Sequence, residues 1–340
     1  MTIEDWAQKI QAGDTRSVGR AISAIEAGDE ASVPLLRTLF HRRGPADVVG
    51  ITGSPGAGKS TLVEKLAAAY RAGGLRVGIL AVDPTSPFSG GAILGDRIRM
   101  QRLSTDAGIF IRSMATRGHL GGLASAAYDA VTVLAAAGFE IVLVETVGVG
   151  QDEVEIAKLA DTTVLLLVPG AGDDLQVLKA GVMEIADLFV INKADRAEAD
   201  RLEQAVTALL SVAPRPDGWR PPILKTIATT GEGVDRLRQA LNEFRSFAEE
   251  TPLRTKRAQD RWRDRLLELM QQELFNRVVK PRLADGLIDA VVAQIVERNR
   301  DPHSAAEEIL KNCGRGSNFS PPAPLPKEDG GEQSEPGEGD

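Results

Sequence analysis

The chain has 340 residues, 43% hydrophobic and 26% charged, enough apolar material for one large α/β domain with additions or for two smaller domains. Its net charge of -8 argues against a phosphate-backbone binder, so nucleic acid is not an expected partner. Apolar runs fall short of the roughly 18 residues that span a bilayer, and Glu4 and Asp5 stand where a signal peptide would be basic; no membrane association and a cytoplasmic location are expected.

From Ile3 to about Arg43 the residues Trp6, Ile10, Val18, Ile22, Ile25, Val33, Leu36 and Phe40 recur at helical spacing, which predicts a small helical extension over residues 1–45. Val48 to Gly53 then reads as a buried strand, and Ser60 to Arg71 as the helix after it. Further buried-strand runs are 77–82, 109–111, 141–144, 164–168 and 188–191, mostly separated by helix-like segments. Continuous apolar strands alternating with helices predict an α/β fold, a mainly parallel sheet sandwiched by helices, over residues 46–250. After about Phe247 the chain turns charged and helical, as in 261–275 and 283–298, without strand signal; residues 251–313 form a helical arm in this reading. Leu266, Leu267, Met270 and Leu274 make an apolar stripe on it that fits packing within its own domain or a subunit contact. The single cysteine, Cys313, lies beyond the last strong helix of this reading and is expected to be a bystander thiol. Residues 314–340, rich in Pro, Gly, Ser and Glu, cannot bury enough apolar surface to order themselves.

At the first strand-to-helix junction, Gly53-Ser54-Pro55-Gly56-Ala57-Gly58-Lys59-Ser60 fits the phosphate-cradling pattern G-x-x-x-x-G-K-[ST], with Thr61 next. Glycines let backbone N–H groups turn inward, the helix N-terminus adds positive potential, Lys59 reaches β- and γ-phosphates, and the Ser60 hydroxyl ligates Mg²⁺. A P-loop NTPase fold follows from that motif in that context. The extra glycine resembles the SIMIBI class of P-loop proteins more than the Ras-like class.

After the strand at 188–191 comes Asn192-Lys193-Ala194-Asp195, the guanine-specifying N-K-x-D. A carboxylate at Asp195 accepts from the ring N–H and exocyclic NH₂ of guanine, whereas adenine would leave it unmatched. Asn192 and Lys193 are expected to brace this loop, and Thr226-Ile227-Ala228 to supply a backbone N–H to the base. GTP is therefore the expected substrate and GDP the product.

Mg²⁺ takes oxygen ligands, so acidic residues are needed near the γ-phosphate. Asp83 ends the second strand run, Glu145 ends the run 141–144, and Asp96 lies in Gly95-Asp96-Arg97 between them. With Ser60 these are the metal candidates, and Lys59, Glu145 and Asp96 the catalytic ones. Glu145-Thr146-Val147-Gly148 sits where Ras-like proteins carry D-x-x-G, yet Val149 follows instead of a water-orienting glutamine. Slow intrinsic hydrolysis completed by a partner or a rearrangement is expected, with Gln151 and Asp152 as nearby suspects. Arg97, Arg99, Arg102, Arg112 and Arg117 read mostly as a solvated or salt-bridged face, and His119 carries no metal-ligand cluster.

Residues 82–86 (VDPTS), 93–100 (ILGDRIRM), 113–118 (SMATRG) and 144–151 (VETVGVGQ) together resemble the MeaB/ArgK/MMAA family of GTPases, over roughly Thr2 to Leu310. The resemblance implies a chaperone of an adenosylcobalamin-dependent acyl-CoA mutase, chiefly methylmalonyl-CoA mutase, gating cofactor loading and removal of damaged cofactor. It also implies a homodimer built through the helical arm and a partner-sensing segment at Gly172-Asp173-Asp174-Leu175-Gln176. No cobalamin is expected on this chain itself, and a cobalamin adenosyltransferase is a further candidate partner. Alternatives are an ATP-dependent kinase of a periplasmic amino-acid transport component, a name attached to ArgK-like chains, and a metallochaperone GTPase. The acidic tail after Arg315 departs from the family pattern.

Overall fold

The computed structural model describes residues 2–83, 103, 105–115, 122–146, 152–170, 182–212, 215–280 and 286–314. The chain divides into two units, Met1–Arg265 and Leu266–Asp340.

Three helices open the first unit: α1 (Ile3–Gln11), α2 (Thr15–Ala27) and α3 (Ser32–Phe40). α1 starts at a reciprocal cap, the Asp5 N–H donating to Thr2 Oγ1 and the Thr2 N–H to Asp5 Oδ2, both at 3.1 Å. α2 is capped by Asp14 and stops at Gly28, whose φ of 65° ends the helix in the left-handed region. Three helices are present there, and Trp6, Ile10, Val18 and Ile22 of the expected stripe are buried together with Leu35 and Leu39, whereas Ile25 and Leu36 are half-buried and Val33 and Phe40 are exposed.

The α/β layer follows as β1 (Asp47–Gly53), α4 (Lys59–Ala72), β2 (Val77–Asp83), β3 (Ile109–Ala115), α5 (Gly122–Ala136), β4 (Ile141–Thr146), α6 (Asp152–Leu159), β5 (Thr162–Leu167), α7 (Val182–Ile185), β6 (Leu188–Asn192), α8 (Ala199–Val212), β7 (Ile223–Thr226) and α9 (Val234–Glu250). The strands form one seven-stranded sheet in the order β3-β2-β4-β1-β5-β6-β7, and every adjacent pair is parallel. β7 is absent from the sequence reading; at four residues, Ile-Leu-Lys-Thr with a solvated Lys225, it lacks the apolar run that reveals a buried strand.

Alternation along β1 divides the core. Val49 and Ile51 join Leu62, Leu66, Leu237 and Phe244 from α4 and α9. Val48 turns the other way and joins Leu134, Phe139 and Ile156 with the N-terminal helices. A third cluster packs Leu165, Leu167, Phe189 and Ile191 against Leu202 and Val206 of α8. Apolar cover on both faces is what an all-parallel sheet requires. Because β1 lies inside the sheet between β4 and β5, the chain leaves it at a point where the strand order reverses, a crevice that hosts ligands in such folds.

Helix α10 (Leu253–Leu274) begins in the first unit. The second unit contains its last turns, a π-helical turn Phe275–Val279, α11 (Leu287–Val296) and α12 (Pro302–Gly314). Its own core is small: Leu287, Val291, Ala305 and Ile309. Leu266, Leu267, Met270 and Leu274 are all more than half exposed, between 51% and 59%. Cys313 falls inside α12 and not beyond the last helix. No helix among the described residues is long and apolar enough to cross a membrane.

Asp47, at the start of β1, is 8% exposed and lines a small pocket with Asp161, Arg245, Arg254 and Arg257. Burial, reinforced by the Asp161 charge, pushes its carboxyl up to about 6 from the ordinary 3.8, while Arg245 and Arg254 oppose the shift. The folded chain therefore holds this proton more tightly than the unfolded one, and stability falls as pH rises from about 4 to about 6, then stays lowered. Asp47→Asn is expected to stabilise the protein by about 1–3 kcal/mol at pH 7.5 and by little at pH 4.5, read from denaturant midpoints. A gain independent of pH would contradict this.

Candidate functional site

The glycine loop leaves β1 at its carboxyl end and runs straight into α4, so the first N–H groups of that helix face the loop. Two of its glycines are required by close contacts. Gly53 has φ 144°, and a Cβ there would sit 2.2 Å from the Leu166 carbonyl oxygen. Gly58 has φ 94°, and a Cβ there would sit 2.5 Å from Asn192 Nδ2. Lys59 is 7% exposed; its Nζ donates to the carbonyls of Gly53 at 2.7 Å and Ser54 at 3.1 Å, which keeps the ammonium inside the loop. Pro55 and Gly56 form the exposed crest, Ala57 is buried beneath it, and Thr61 is half-buried on α4.

Ser60 Oγ donates to Glu145 Oε1 at 2.8 Å. These two expected metal residues, 85 positions apart, meet because β4 lies beside β1 and Glu145 pairs with Ile51 in the parallel register. Glu145 is 5% exposed. Beside it, Thr146 Oγ1 donates to Thr52 Oγ1 at 3.2 Å, a buried polar link between the tips of β4 and β1. Two threonines at the ends of aliphatic strands are the signal in the sequence that could have found this pair. Asp83 is the last residue of β2, two strands from β1, so its backbone stands at the same carboxyl edge of the sheet. Asp96, Val147 to Gln151, Gly172 to Gln176, Arg97, Arg99, Arg102, Arg117 and His119 lie outside the described residues. Arg112 is tied into the fold: it pairs with Glu26 of α2 and donates to Ser23 at 3.0 Å.

The N-K-x-D segment follows β6 directly. Asn192 is 2% exposed and uses its amide on two loops at once. Its Nδ2 donates to the Ala57 carbonyl at 2.8 Å, and its Oδ1 accepts from the Ala228 N–H at 3.0 Å and from Thr226 Oγ1 at 3.2 Å. Lys193 adopts φ 57°, an uncommon conformation for a side-chain-bearing residue, and its Nζ donates to the Gly56 carbonyl at 2.9 Å. The Ala194 N–H donates to the Thr226 carbonyl at 3.1 Å. Ile227 is half-buried and bridges to Glu232, which folds the following turn back. Asp195 is exposed and has no hydrogen bond or ion pair among the described residues, so its carboxylate is presented to solvent at the rim of these loops. Among the described residues no three His, Cys, Asp or Glu side chains gather as a metal cluster.

Replacing Asn192 by Ala strands a buried N–H, a buried hydroxyl and a carbonyl. We expect a stability loss of about 2–4 kcal/mol in denaturant titration. GDP affinity in the folded variant is expected to fall by about tenfold or more, since the phosphate loop loses its tether to the base loop. Unchanged GDP affinity would show that the two loops are placed independently.

The family described as Methylmalonyl Co-A mutase-associated GTPase MeaB matches residues 18–282. A Pyrococcus abyssi protein named as a GTPase is 47% identical over 315 residues, covering 91% of this chain and 96% of the relative. The Escherichia coli protein named GTPase ArgK is 37% identical over 253 residues, 72% of this chain and 76% of that one. Among solved structures, a crystal structure of LAO/AO transport system kinase shares the fold with a TM-score of 0.69 at 24% identity, covering 92% of this chain and 98% of that one. Phosphate loop, guanine-type motif and these relatives agree: the chain belongs to the MeaB/ArgK/MMAA family of P-loop GTPases and is a GTP-hydrolysing enzyme.

Proposed function

We propose that this GTPase serves as a chaperone of an adenosylcobalamin-dependent acyl-CoA mutase, methylmalonyl-CoA mutase or a close relative, gating cofactor loading and removal of damaged cofactor. The observation that carries the reading is the match over residues 18–282 to a family described by its association with methylmalonyl-CoA mutase. A cobalamin adenosyltransferase, as the source of the loaded cofactor, is a further partner in this scheme.

In the nucleotide site, Gly53 to Thr61 cradle the phosphates. Lys59 exchanges its loop carbonyls for β- and γ-phosphate oxygens. Asp195 takes the guanine edge, and Thr226-Ile227-Ala228 lies against the base. The donor set suits Mg²⁺, a hard cation: a serine hydroxyl and a carboxylate oxygen are already 2.8 Å apart at Ser60 and Glu145. Ser60 and Glu145 would hold it, with Asp83 and Asp96 as further candidate oxygen ligands. An ion held there would supply neutralisation of the charge on the β- and γ-phosphates. Lys59, Glu145 and Asp96 are the residues assigned to catalysis.

The division of labour along the chain is proposed as a helical extension to residue 45, a G domain over 46–250, an arm over 251–313 and an acidic tail over 314–340. The exposed stripe Leu266, Met270 and Leu274 fits a homodimer contact through the arm. The kinase alternative needs ATP, whose adenine edge would present a lone pair to Asp195.

Asp195→Asn tests base and partner together. The amide NH₂ can donate to the xanthine oxygen, so GTP affinity should fall by about 100-fold or more while xanthosine triphosphate gains. Capture of the mutase by the variant, in a pull-down with non-hydrolysable analogues, should then follow the xanthine nucleotide instead of the guanine one. Retained GTP affinity would place the base elsewhere, and capture indifferent to the nucleotide would contradict the chaperone reading.

A further inference from the structure

One residue beyond the rung at which Ile51 of β1 faces Glu145 of β4, Thr52 and Thr146 meet through their side chains. Thr146 pairs on its other side with Val82 of β2, and Val82 with Met114 of β3. Thr52 pairs on its other side with Leu165 of β5. The row that crosses the carboxyl end of the sheet is therefore apolar on either side of these two hydroxyls. Thr52 is 0% and Thr146 3% exposed, and valine, with the same branched shape, is what a strand buried on both faces ordinarily places there. A hydroxyl in such a setting costs stability unless it finds a partner, and here each has the other: Thr146 Oγ1 donates to Thr52 Oγ1 at 3.2 Å.

The link joins the two strands on the face opposite Ser60 and Glu145. Successive side chains of a strand point to opposite faces. Ile51 and Leu143 belong to the core shared with α4, whereas Val48, Val142 and Val144 belong to the core shared with the N-terminal helices. Glu145 therefore projects to the α4 side, where its Oε1 accepts from Ser60 Oγ at 2.8 Å, and Thr146 to the other side. The link is also immediate to both. Thr146 follows Glu145 in the chain, and Thr52 precedes Gly53, the first residue of the phosphate loop. On the β5 side the same point is closely packed, since a Cβ at Gly53 would sit 2.2 Å from the Leu166 carbonyl oxygen.

We propose that Thr52 and Thr146 are positioning residues for the metal end of the nucleotide site: their hydrogen bond clamps the tips of β1 and β4 and holds the Glu145 carboxylate at its working distance from Ser60. Mg²⁺ demands near-ideal octahedral geometry, in which neighbouring oxygen ligands lie about 3 Å apart. Ser60 Oγ and Glu145 Oε1, at 2.8 Å, have that spacing. The clamp acts through one peptide unit on each strand and touches neither nucleotide nor ion. It deepens, and rests on, the assignment of Ser60 and Glu145 to Mg²⁺.

The test uses the full chain and the double variant Thr52→Val/Thr146→Val, which removes both hydroxyls at constant shape and leaves neither stranded. It reads the thermal midpoint, GDP affinity in EDTA, Mg²⁺ affinity of the GDP-bound chain by calorimetry, and kcat for GTP. The midpoint should stay level or rise, and GDP affinity in EDTA should stay within about twofold of the parent. Mg²⁺ affinity and kcat should each fall by about 3- to 10-fold, and Thr146→Ser, which keeps the hydroxyl, should retain both. A pair that only satisfies itself would leave Mg²⁺ affinity and kcat untouched by the valines, and that result overturns the proposal. Should the double variant fail to fold, Thr146→Val against Thr146→Ser decides on the same two readouts. If Glu145→Gln binds Mg²⁺ like the parent, the assignment beneath the proposal fails instead, which separates the two errors.

Discussion

The site depends on one buried amide. Asn192 holds Ala57 of the phosphate loop with its NH₂ and Ala228 and Thr226 of the loop after β7 with its oxygen. The two halves of the proposed nucleotide pocket, one for phosphates and one for a base, therefore share a fixed point. Gly58 is a condition of that arrangement, because any side chain there would collide with the amide. Lys193 adds a second strap, reaching Gly56 from a backbone held at positive φ. What is left over is Asp195, the one member of the motif with a carboxylate facing out. A buried amide with three hydrogen bonds and an exposed carboxylate without a partner among the described residues stand three positions apart. In the proposed site the first holds the loops and the second meets the ligand.

Around this point the sheet order does the gathering. β1 is flanked by β4 and β5, so the strand that ends in the phosphate loop lies directly beside the strand that ends in Glu145. Ser60 and Glu145 meet there, and the Thr52–Thr146 link ties the same two strand tips one residue on. At the opposite end of the sheet, Asp161 and Asp187 accept both backbone N–H groups and α10 arginines. The carboxyl edge thus collects chemistry, and the amino edge collects ion pairs that hold a helix against the layer.

Much of this was readable in the residues. Apolar runs such as 164–168 and 188–191 revealed strands because a parallel sheet is buried on both faces and needs no polar alternation. The glycine loop and Asn192 to Asp195 were readable because each packs its chemistry into a few consecutive residues. β7 escaped because Ile-Leu-Lys-Thr has no apolar run. The third strand extends to Ala115, beyond the run 109–111, because Arg112 within it is neutralised by Glu26 from a helix far away in sequence. The α10 arginines that meet Asp129, Asp161 and Asp187 escaped for the same reason. In sequence α10 is a charged helix like any other, and only those partners, on other elements, distinguish it. Contacts between distant segments come from topology, which local pattern does not encode.

The chain combines a complete phosphate loop with Val149 where Ras-like enzymes place a water-orienting glutamine, a pairing that fits a switch completed by its partner. Single-turnover GTP hydrolysis, measured for the chain alone and then with saturating methylmalonyl-CoA mutase, tests that most directly. Slow hydrolysis alone and a rise of about tenfold or more with the mutase are predicted. Rapid hydrolysis by the isolated chain, unmoved by the mutase, would contradict it.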